Sequence, residues 1–267
     1  MRYTAAPQRR DELLSRIDRH GYLSSRQAAR EFEVTEMTIR SDLDFLANAG
    51  LATRVIGGAR RPGLPFDERS ATETGAKEAI AIRCAELLSG GRLSAGMTIV
   101  LDAGTTVVGI VRLLPAGVTV VSHSLPVLIE CASRPELDLI GLGGAYQERT
   151  RSFGGPETRR QLGELRPDLA IVSASALRET GLFCQDAIEA DTKRAILDAS
   201  ETAIAVADHG KLEATGAIRI ATWDRVPTLI TDDGAGRAPF APIERCGVRV
   251  EFAKAPGSDT RRNTARS

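Results

Sequence analysis

Aromatic side chains are scarce in this chain of 267 residues: one Trp, three Tyr and seven Phe make up 4% of it. Any sizeable core must be aliphatic, and a hydrophobic content of 42% supplies it and argues against wholesale disorder. Cysteine is sparse as well. Cys84, Cys131, Cys184 and Cys246 stand far apart with no C-x-x-C pair, which argues against a disulfide frame or a zinc site and predicts buried free thiols. No stretch reaches the roughly 18 consecutive apolar residues of a membrane span, and the first residues form no apolar leader. These absences predict a cytoplasmic protein. Net charge is missing too. Lys plus Arg and Asp plus Glu number 35 each, so the chain as a whole has no basic field to attract nucleic acid.

The local distribution of charge is less even. Residues 1–61 hold eleven arginines against eight acids, an excess of three positive charges, and they read as three short helices followed by a ribbon. Leu13, Leu14 and Ile17 form an apolar stripe on a first helix that ends near His20-Gly21, with His20 packing at the helix end and glycine taking the cap. Ser24-Ser25-Arg26-Gln27 has capping-box spacing and starts a second helix, which carries Ala28, Ala29 and Phe32. Thr35 is the N-cap of a third. On that third helix Ile39, Leu43 and Leu46 fall within about 60° of one another at about 100° per residue. Met37, Arg40, Ser41 and Asp44 face the other way.

One face of the third helix therefore packs while the other is free. A tight turn before it and an exposed polar face near its start are the geometry of a helix-turn-helix, whose second helix enters the major groove. Thr35, Glu36, Met37, Thr38, Arg40 and Ser41 are the expected DNA-facing residues, with Arg40 able to meet a base or a phosphate. Residues 51–60 read as a two-stranded wing, with Arg54 and Arg60 for phosphates. A three-helix protein-interaction module shares this periodicity.

From residue 77 the pattern changes. Short apolar runs at Thr98–Asp102, Val118–Ser122, Leu137–Gly141, Leu169–Ser173, Ala203–Ala207, Thr228–Thr231 and Val248–Phe252 read as strands covered on both faces. Helical stretches at Lys77–Leu88, Thr106–Leu114, Leu125–Ser133, Glu157–Leu165 and Ile188–Ser200 separate most of them. Alternation of this kind predicts an α/β domain with a mostly parallel sheet over 77–253. A linker over 62–76 would join it to the winged helix-turn-helix of 1–61, and 254–267 reads as a disordered tail.

Asp102-Ala103-Gly104-Thr105-Thr106 stands where the first of these strands ends and a helix begins. Gly104 permits close approach, Thr105 and Thr106 can donate, and free helix amides suit a phosphate. Other loops at strand ends are Ser122-His123-Ser124, Gly143-Gly144, Ser173-Ala174-Ser175 and Asp208-His209-Gly210-Lys211. In open parallel sheets such loops gather around one crevice.

Residues 16–59 resemble the DNA-binding signature of the DeoR family of bacterial transcription regulators. Gly21, Ala28, Phe32, Val34, Thr38-Ile39-Arg40, Asp42-Leu43, Leu46, Gly50 and Gly57-Gly58-Ala59 sit at the family's spacings, and the similarity runs on through Pro65-Phe66-Asp67-Glu68-Arg69 and Lys77. Ser41 replaces a second arginine that is usual there, Ile56 an often-present histidine, and His123 a common asparagine. The resemblance implies a second domain related in fold to sugar-phosphate isomerases and deaminases. It also implies a ligand phosphate held by Asp102, Gly104, Thr105 and Thr106, a second loop of Ser122 and His123, and contacts from Glu189 and Lys211 to sugar oxygens or phosphate. Glu189 with Lys193 is equally an i,i+4 pair that supports a helix.

Three function classes compete: a DNA-binding repressor of carbohydrate-metabolism genes governed by a phosphorylated sugar, a sugar-phosphate isomerase or deaminase with an appended DNA-binding module, and a protein-interaction adaptor. The helix-turn-helix has no purpose in a simple isomerase, so a non-enzyme regulator is expected. Its partners would be operator DNA, a phosphorylated-sugar effector and further copies of the chain, with no metal, cofactor or membrane.

Overall fold

The computed structural model describes residues 6–20, 22–49, 51–55, 57–60 and 66–254. The expected tail beyond Lys254, the glycines Gly21 and Gly50, Ile56, Arg61 and residues 62–65 of the expected linker lie outside the described residues. The chain divides into two compact units, Met1–Leu64 and Pro65–Ser267.

In the first unit, α1 (Ala6–His20) buries Leu13 and Ile17, and β1 (Tyr22–Ser24) leads into α2 (Ser25–Glu31). Ser24 Oγ caps α2 by accepting from the Gln27 amide at 3.4 Å. The reciprocal half of the expected capping box is missing. Gln27 Nε2 donates forward to Glu31 Oε1 at 2.8 Å, because a carboxylate one turn on is the stronger acceptor. Thr35 Oγ1 caps α3 (Glu36–Asn48) by accepting from the Thr38 amide at 3.1 Å. Ile39, Leu43 and Leu46 are buried against Leu13, Ile17, Ala28 and Phe32, so the helical phase read from the sequence holds. His20 is exposed rather than packed.

The wing has three strands rather than two. β2 (Thr53–Val55) and β3 (Gly58–Arg60) pair antiparallel, and β1 adds to the far edge of β3. Glycine is required at position 58, since a Cβ there would lie 1.9 Å from the Leu23 carbonyl oxygen.

The second unit opens with α4 (Phe66–Ala71), where the sequence suggested linker, and α5 (Thr74–Leu87), which begins three residues ahead of the helix expected at Lys77–Leu88. There follow β4 (Thr98–Leu101), α6 (Thr105–Val111), β5 (Thr119–Ser122), α7 (Leu125–Ala132), β6 (Asp138–Gly141), β7 (Ala145–Gln147), β8 (Ser152–Gly154) and α8 (Pro156–Gly163). The remainder is β9 (Leu169–Ser173), β10 (Ala176–Arg178), β11 (Gly181–Cys184), α9 (Ala187–Ala199), β12 (Thr202–Val206), β13 (Ile218–Ala221), β14 (Thr228–Asp232), α10 (Ala241–Arg245) and β15 (Arg249–Ala253).

All seven apolar runs predicted as strands form one parallel sheet, in the order β15-β14-β12-β9-β4-β5-β6. Alternation within the strands feeds two cores, except in the edge strand β6, which is exposed throughout. Val100, Val121, Ala170 and Val172 pack with Leu162, Ala190 and Ile196 of α8 and α9. Ile99, Leu101, Val120 and Ile171 pack with Ile80, Val107, Ile110 and Val127 of α5, α6 and α7. Helices thus cover both faces, which is why the strands read as continuous apolar runs. Two small antiparallel sheets, β7-β8 and β10-β11-β13, escaped sequence reading. Of the thiols, Cys84, Cys131 and Cys184 are buried as expected, and Cys246 is exposed.

Strand order reverses between β4 and β9. From β4 the chain builds outward through β5 and β6, and from β9 it builds the other way through β12, β14 and β15. At such a switch point the two following loops part to opposite faces and leave a crevice at the carboxyl ends of the strands.

Candidate functional site

Asp102 follows directly on β4 at this switch point and is fully buried. Its Oδ2 accepts from the Ser173 amide at 2.8 Å, the Ser173 hydroxyl at 2.9 Å and Lys193 Nζ, so the ends of β4 and β9 are joined through one carboxylate. Lys193 also donates to the Ser173 carbonyl and hydroxyl oxygens, each at 3.0 Å, which uses all three N–H groups of the ammonium. The lysine side chain is 1% exposed. Burial alone would push the Asp102 carboxyl up, but the Lys193 ammonium and the His123 ring outweigh it and hold the carboxyl below the usual range. Burial likewise works against the lysine charge, and Asp102 and then Glu189 outweigh it, so Lys193 stays protonated with a raised pKa.

Asp102 was expected to hold a ligand phosphate. Buried and saturated by protein donors, it instead orients Lys193 and the β9 end, as suits a carboxylate that would repel a phosphate. Ser122 is likewise occupied: its hydroxyl donates to the Leu101 carbonyl at 2.7 Å and accepts from the Ser124 amide at 3.1 Å. His123 sits between the two loops. Its Nδ1 lies 2.7 Å from the Phe153 carbonyl, which fixes that nitrogen as a donor. Its Nε2 lies 3.3 Å from the Ala103 amide, from which it accepts, and 3.3 Å from Asp102 Oδ1.

Gly104 is the N-cap of α6, and a Cβ there would lie 2.5 Å from Ser173 Oγ, so this loop requires glycine for close packing against β9. Thr105 is partly exposed and Thr106 is buried. Glu189 lies in the first turn of α9 with its carboxylate 3.6 Å from Lys193 Nζ. Beside it a small cavity of about 50 Å³ is lined by residues including His123, Arg149, Ser152, Asp186 and Glu189.

The structure therefore brings Asp102, Gly104, Ser122, His123 and Glu189 together. Lys211 belongs to a neighbouring cluster, paired with Asp208 at 3.5 Å, where His209 Nδ1 also meets Asp232 Oδ2 at 2.6 Å. Gly143 and Gly144 pack against α8 through Thr158 and Gln161. Sequence reasoning missed Lys193 as a site residue and saw Ser173 only as part of a loop. A signal for Lys193 was present: it lies three residues after Ala190 and three before Ile196, on the apolar face of α9. Among the described residues no group of His, Cys, Asp and Glu could hold a metal, and no helix is long and apolar enough to cross a membrane.

In the first unit, the outer face of α3 carries Met37, which is 73% exposed, together with exposed Thr35, Arg40 and Ser41 and partly exposed Glu36 and Thr38. Arg40 pairs with Glu36 at 2.8 Å, a solvent-exposed i,i+4 contact that is easily opened. Behind this face, Asp42 is 2% exposed and accepts from Arg9 Nε and, at 2.8 Å, from Arg10 Nε. Two α1 arginines thus fix the roll of α3 about its axis. Arg54 of the wing is paired with Asp44 at 2.7 Å. Arg60, expected to be open to phosphate, is only 5% exposed on β3, the central strand of the three.

Residues 9–63 match the DeoR-like helix-turn-helix domain, and residues 72–233 match the DeoR C terminal sensor domain. The chain is similar to the glycerol-3-phosphate regulon repressor of Escherichia coli K12, with 29% identity over 232 residues, 84% of this chain and 90% of that one. It is similar as well to the transcriptional repressor AccR of Agrobacterium fabrum, with 28% identity over 243 residues, 88% and 92% of the two chains. A solved ribose 5-phosphate isomerase A from Methanocaldococcus jannaschii aligns at 19% identity and a TM-score of 0.36 over 51% of this chain and 53% of that one, too loosely to bear on function. The two matched domains together span most of the chain, which belongs to the DeoR family of DNA-binding transcription regulators.

Proposed function

We propose that this chain is a cytoplasmic repressor of carbohydrate-metabolism genes whose operator binding is set by a phosphorylated sugar held at the carboxyl ends of β4 and β9. The observation that carries this reading is the buried Asp102–Lys193 pair at the switch point, beside a cavity bearing Arg149 and Glu189. Taking two charges fully out of water is expensive, and perturbed, paired groups in a cleft are a mark of binding sites. The names of the relatives, one of which represses a glycerol-3-phosphate regulon, support both repression and a phosphorylated ligand.

In this reading the Gly104-Thr105-Thr106 turn and nearby cations take the phosphate, and Glu189 accepts from sugar hydroxyls. Ser122 and His123 shape the second loop, and Lys211 approaches from the adjacent loop. On the DNA side, Thr35, Glu36, Met37, Thr38, Arg40 and Ser41 enter the major groove while Arg54 leaves Asp44 for a phosphate. Repeated half-sites would be read by a homo-oligomer. The effector acts only through a preference for one of the two states of the protein, DNA-bound or released.

The test starts with genomic fragments retained by the purified full chain. Challenging the retained complex with a panel of sugar phosphates should find a member that changes its stability, while the corresponding free sugars do not. Conversion of a panel member at an enzyme-like rate would reverse the non-enzyme reading. Arg40→Ala should weaken operator binding by about 1–3 kcal/mol if Arg40 meets a base. Its melting temperature should hardly move, since the exposed Glu36 pair contributes little.

A further inference from the structure

Arg69, in the second unit, carries a donor that finds no hydrogen-bond partner among the described residues. It lies on α4, the first element after the boundary at Leu64. That helix is tied down around it: the Phe66 amide donates to the Arg149 carbonyl at 3.0 Å, Arg151 reaches Asp67 Oδ2 at 2.6 Å, and Lys77 Nζ donates to the carbonyls of Arg69 and Thr72. The buried Phe66 ring has guanidinium carbons of Arg69 and Arg151 on it, each 5.9 Å from its centroid. Yet Arg69 Nε is shut off from solvent with no hydrogen-bond partner among the described residues. A buried donor in that state is costly unless a ligand satisfies it.

The surroundings identify what would satisfy it. Burial disfavours the Arg69 charge most, and the charges that act on it are Glu189, Arg149 and Asp102, residues of the same crevice. Lys193 is bound to Asp102, and Arg69 and Arg149 stand as two guanidinium groups near the carboxylates of Glu189 and Asp186. A guanidinium presents parallel N–H groups that match two oxygens of a phosphate, which a lone ammonium cannot do. The adjoining cavity of about 50 Å³ holds a water or two but no sugar phosphate, so an effector must displace something. α4 adjoins this part of the crevice, with its Phe66 amide bonded to the carbonyl of Arg149, a residue of the cavity lining.

We propose that Arg69 is a phosphate-binding residue of the effector crevice, and that α4, by carrying it, ties occupancy of the crevice to the segment that joins the sensor to the DNA-binding unit. This rests on the reading that the crevice takes a phosphorylated sugar. Binding energy gained at Arg69 is then spent on the position of α4, and through five residues of chain on what precedes it. No wire through the sheet is needed for the coupling.

The experiment uses the full chain with inorganic phosphate and a panel of triose to hexose phosphates as probes, read by calorimetry and by ligand-induced rise in melting temperature. Loss of a charge-assisted, bidentate contact should weaken binding of the best probe roughly ten- to a hundredfold in Arg69→Ala. Arg69→Lys should recover only part of this, since it keeps the charge and loses the fork. Arg151→Ala removes the other guanidinium on Phe66 and the contact to Asp67, and should bind normally. Equal binding by wild type and Arg69→Ala would remove Arg69 from the site while leaving the crevice reading intact. An equal loss in Arg151→Ala would assign the effect to α4 packing and overturn direct contact. If the wild type binds no phosphorylated probe, the crevice reading and this inference fall together.

Discussion

Asp42 and Asp102 are both aspartates withdrawn from water, and both are held by basic side chains from elsewhere in the chain, but their surroundings differ. Asp42 takes Arg9 and Arg10 from a single neighbouring helix, and the Arg10 side chain remains 25% exposed. Its charges stay in touch with solvent, and its role is to join α1 to α3. Asp102 and Lys193 lie at 0% and 1% side-chain exposure, each satisfied by protein groups, with a cavity at their side. An apolar pair of the same volume would often be at least as stable there. The difference separates a structural pin, where geometry is the product, from a charged site, where the charge itself is kept for use.

The largest effect that would break this comparison is expected at Lys193. Lys193→Met leaves the Asp102 carboxylate buried and uncompensated, and should destabilise the second unit by about 3–5 kcal/mol. Asp102→Asn together with Lys193→Met should recover much of that. Trp223, the chain's single tryptophan and only 4% exposed, reports unfolding of this unit in urea. A loss below about 1 kcal/mol would put the pair in the same class as surface ion pairs. The pH dependence follows from the directions of the shifts. Because the Asp102 carboxyl is held down, its contribution is present above the unfolded value of about 4 and is lost as pH falls through the lower folded value. Because Lys193 is held up, its contribution is present below the ordinary lysine value and is lost as pH rises through the higher folded one. Stability from the pair is therefore flat across neutral pH in wild type.

What could be read in the sequence divides along the same line. Every strand of the parallel sheet was legible, the inner ones because burial on both faces makes a strand uniformly apolar, and the edge strand β6 by its apolar residues although it is exposed. The α3 face was legible because Ile39, Leu43 and Leu46 hold a helical period over two turns. β1, β7 and β8 were not, since three residues are too few to show any period. The site was half legible. Gly104 and His123 sit on loops that punctuation residues announce, whereas Lys193 is a charged residue on an apolar helix face, and the default reading of lysine is exposure. Arg60 failed in the same way: a wing arginine reads as exposed, and on the central strand of the three it is buried.

Asp42→Ala gives the next effect in size. It removes the acceptor shared by Arg9 and Arg10, leaves Arg9 largely buried, and should destabilise the first unit by about 2 kcal/mol. The change should appear in far-UV circular dichroism as an early helical transition, with the Trp223 transition unmoved. Operator affinity should fall with it, since the roll of α3 is no longer fixed. A matching shift in the Trp223 transition would mean that the pin serves both units, and the contrast with Asp102 would weaken.

The smallest effect comes from the N-cap of α3. Thr35→Ala deletes the acceptor for the Thr38 amide and should cost the first unit about 1 kcal/mol. Thr35→Asp caps equally well and should leave stability within a few tenths of a kcal/mol of wild type. It also adds a negative charge at the edge of the face proposed to meet DNA. If that face binds the operator, the aspartate variant should lose affinity while keeping its fold, and the alanine variant should lose stability first. Retention of full operator affinity by Thr35→Asp across a salt series would turn the start of α3 away from the phosphates. Asp42 would then be a pin that holds an idle face.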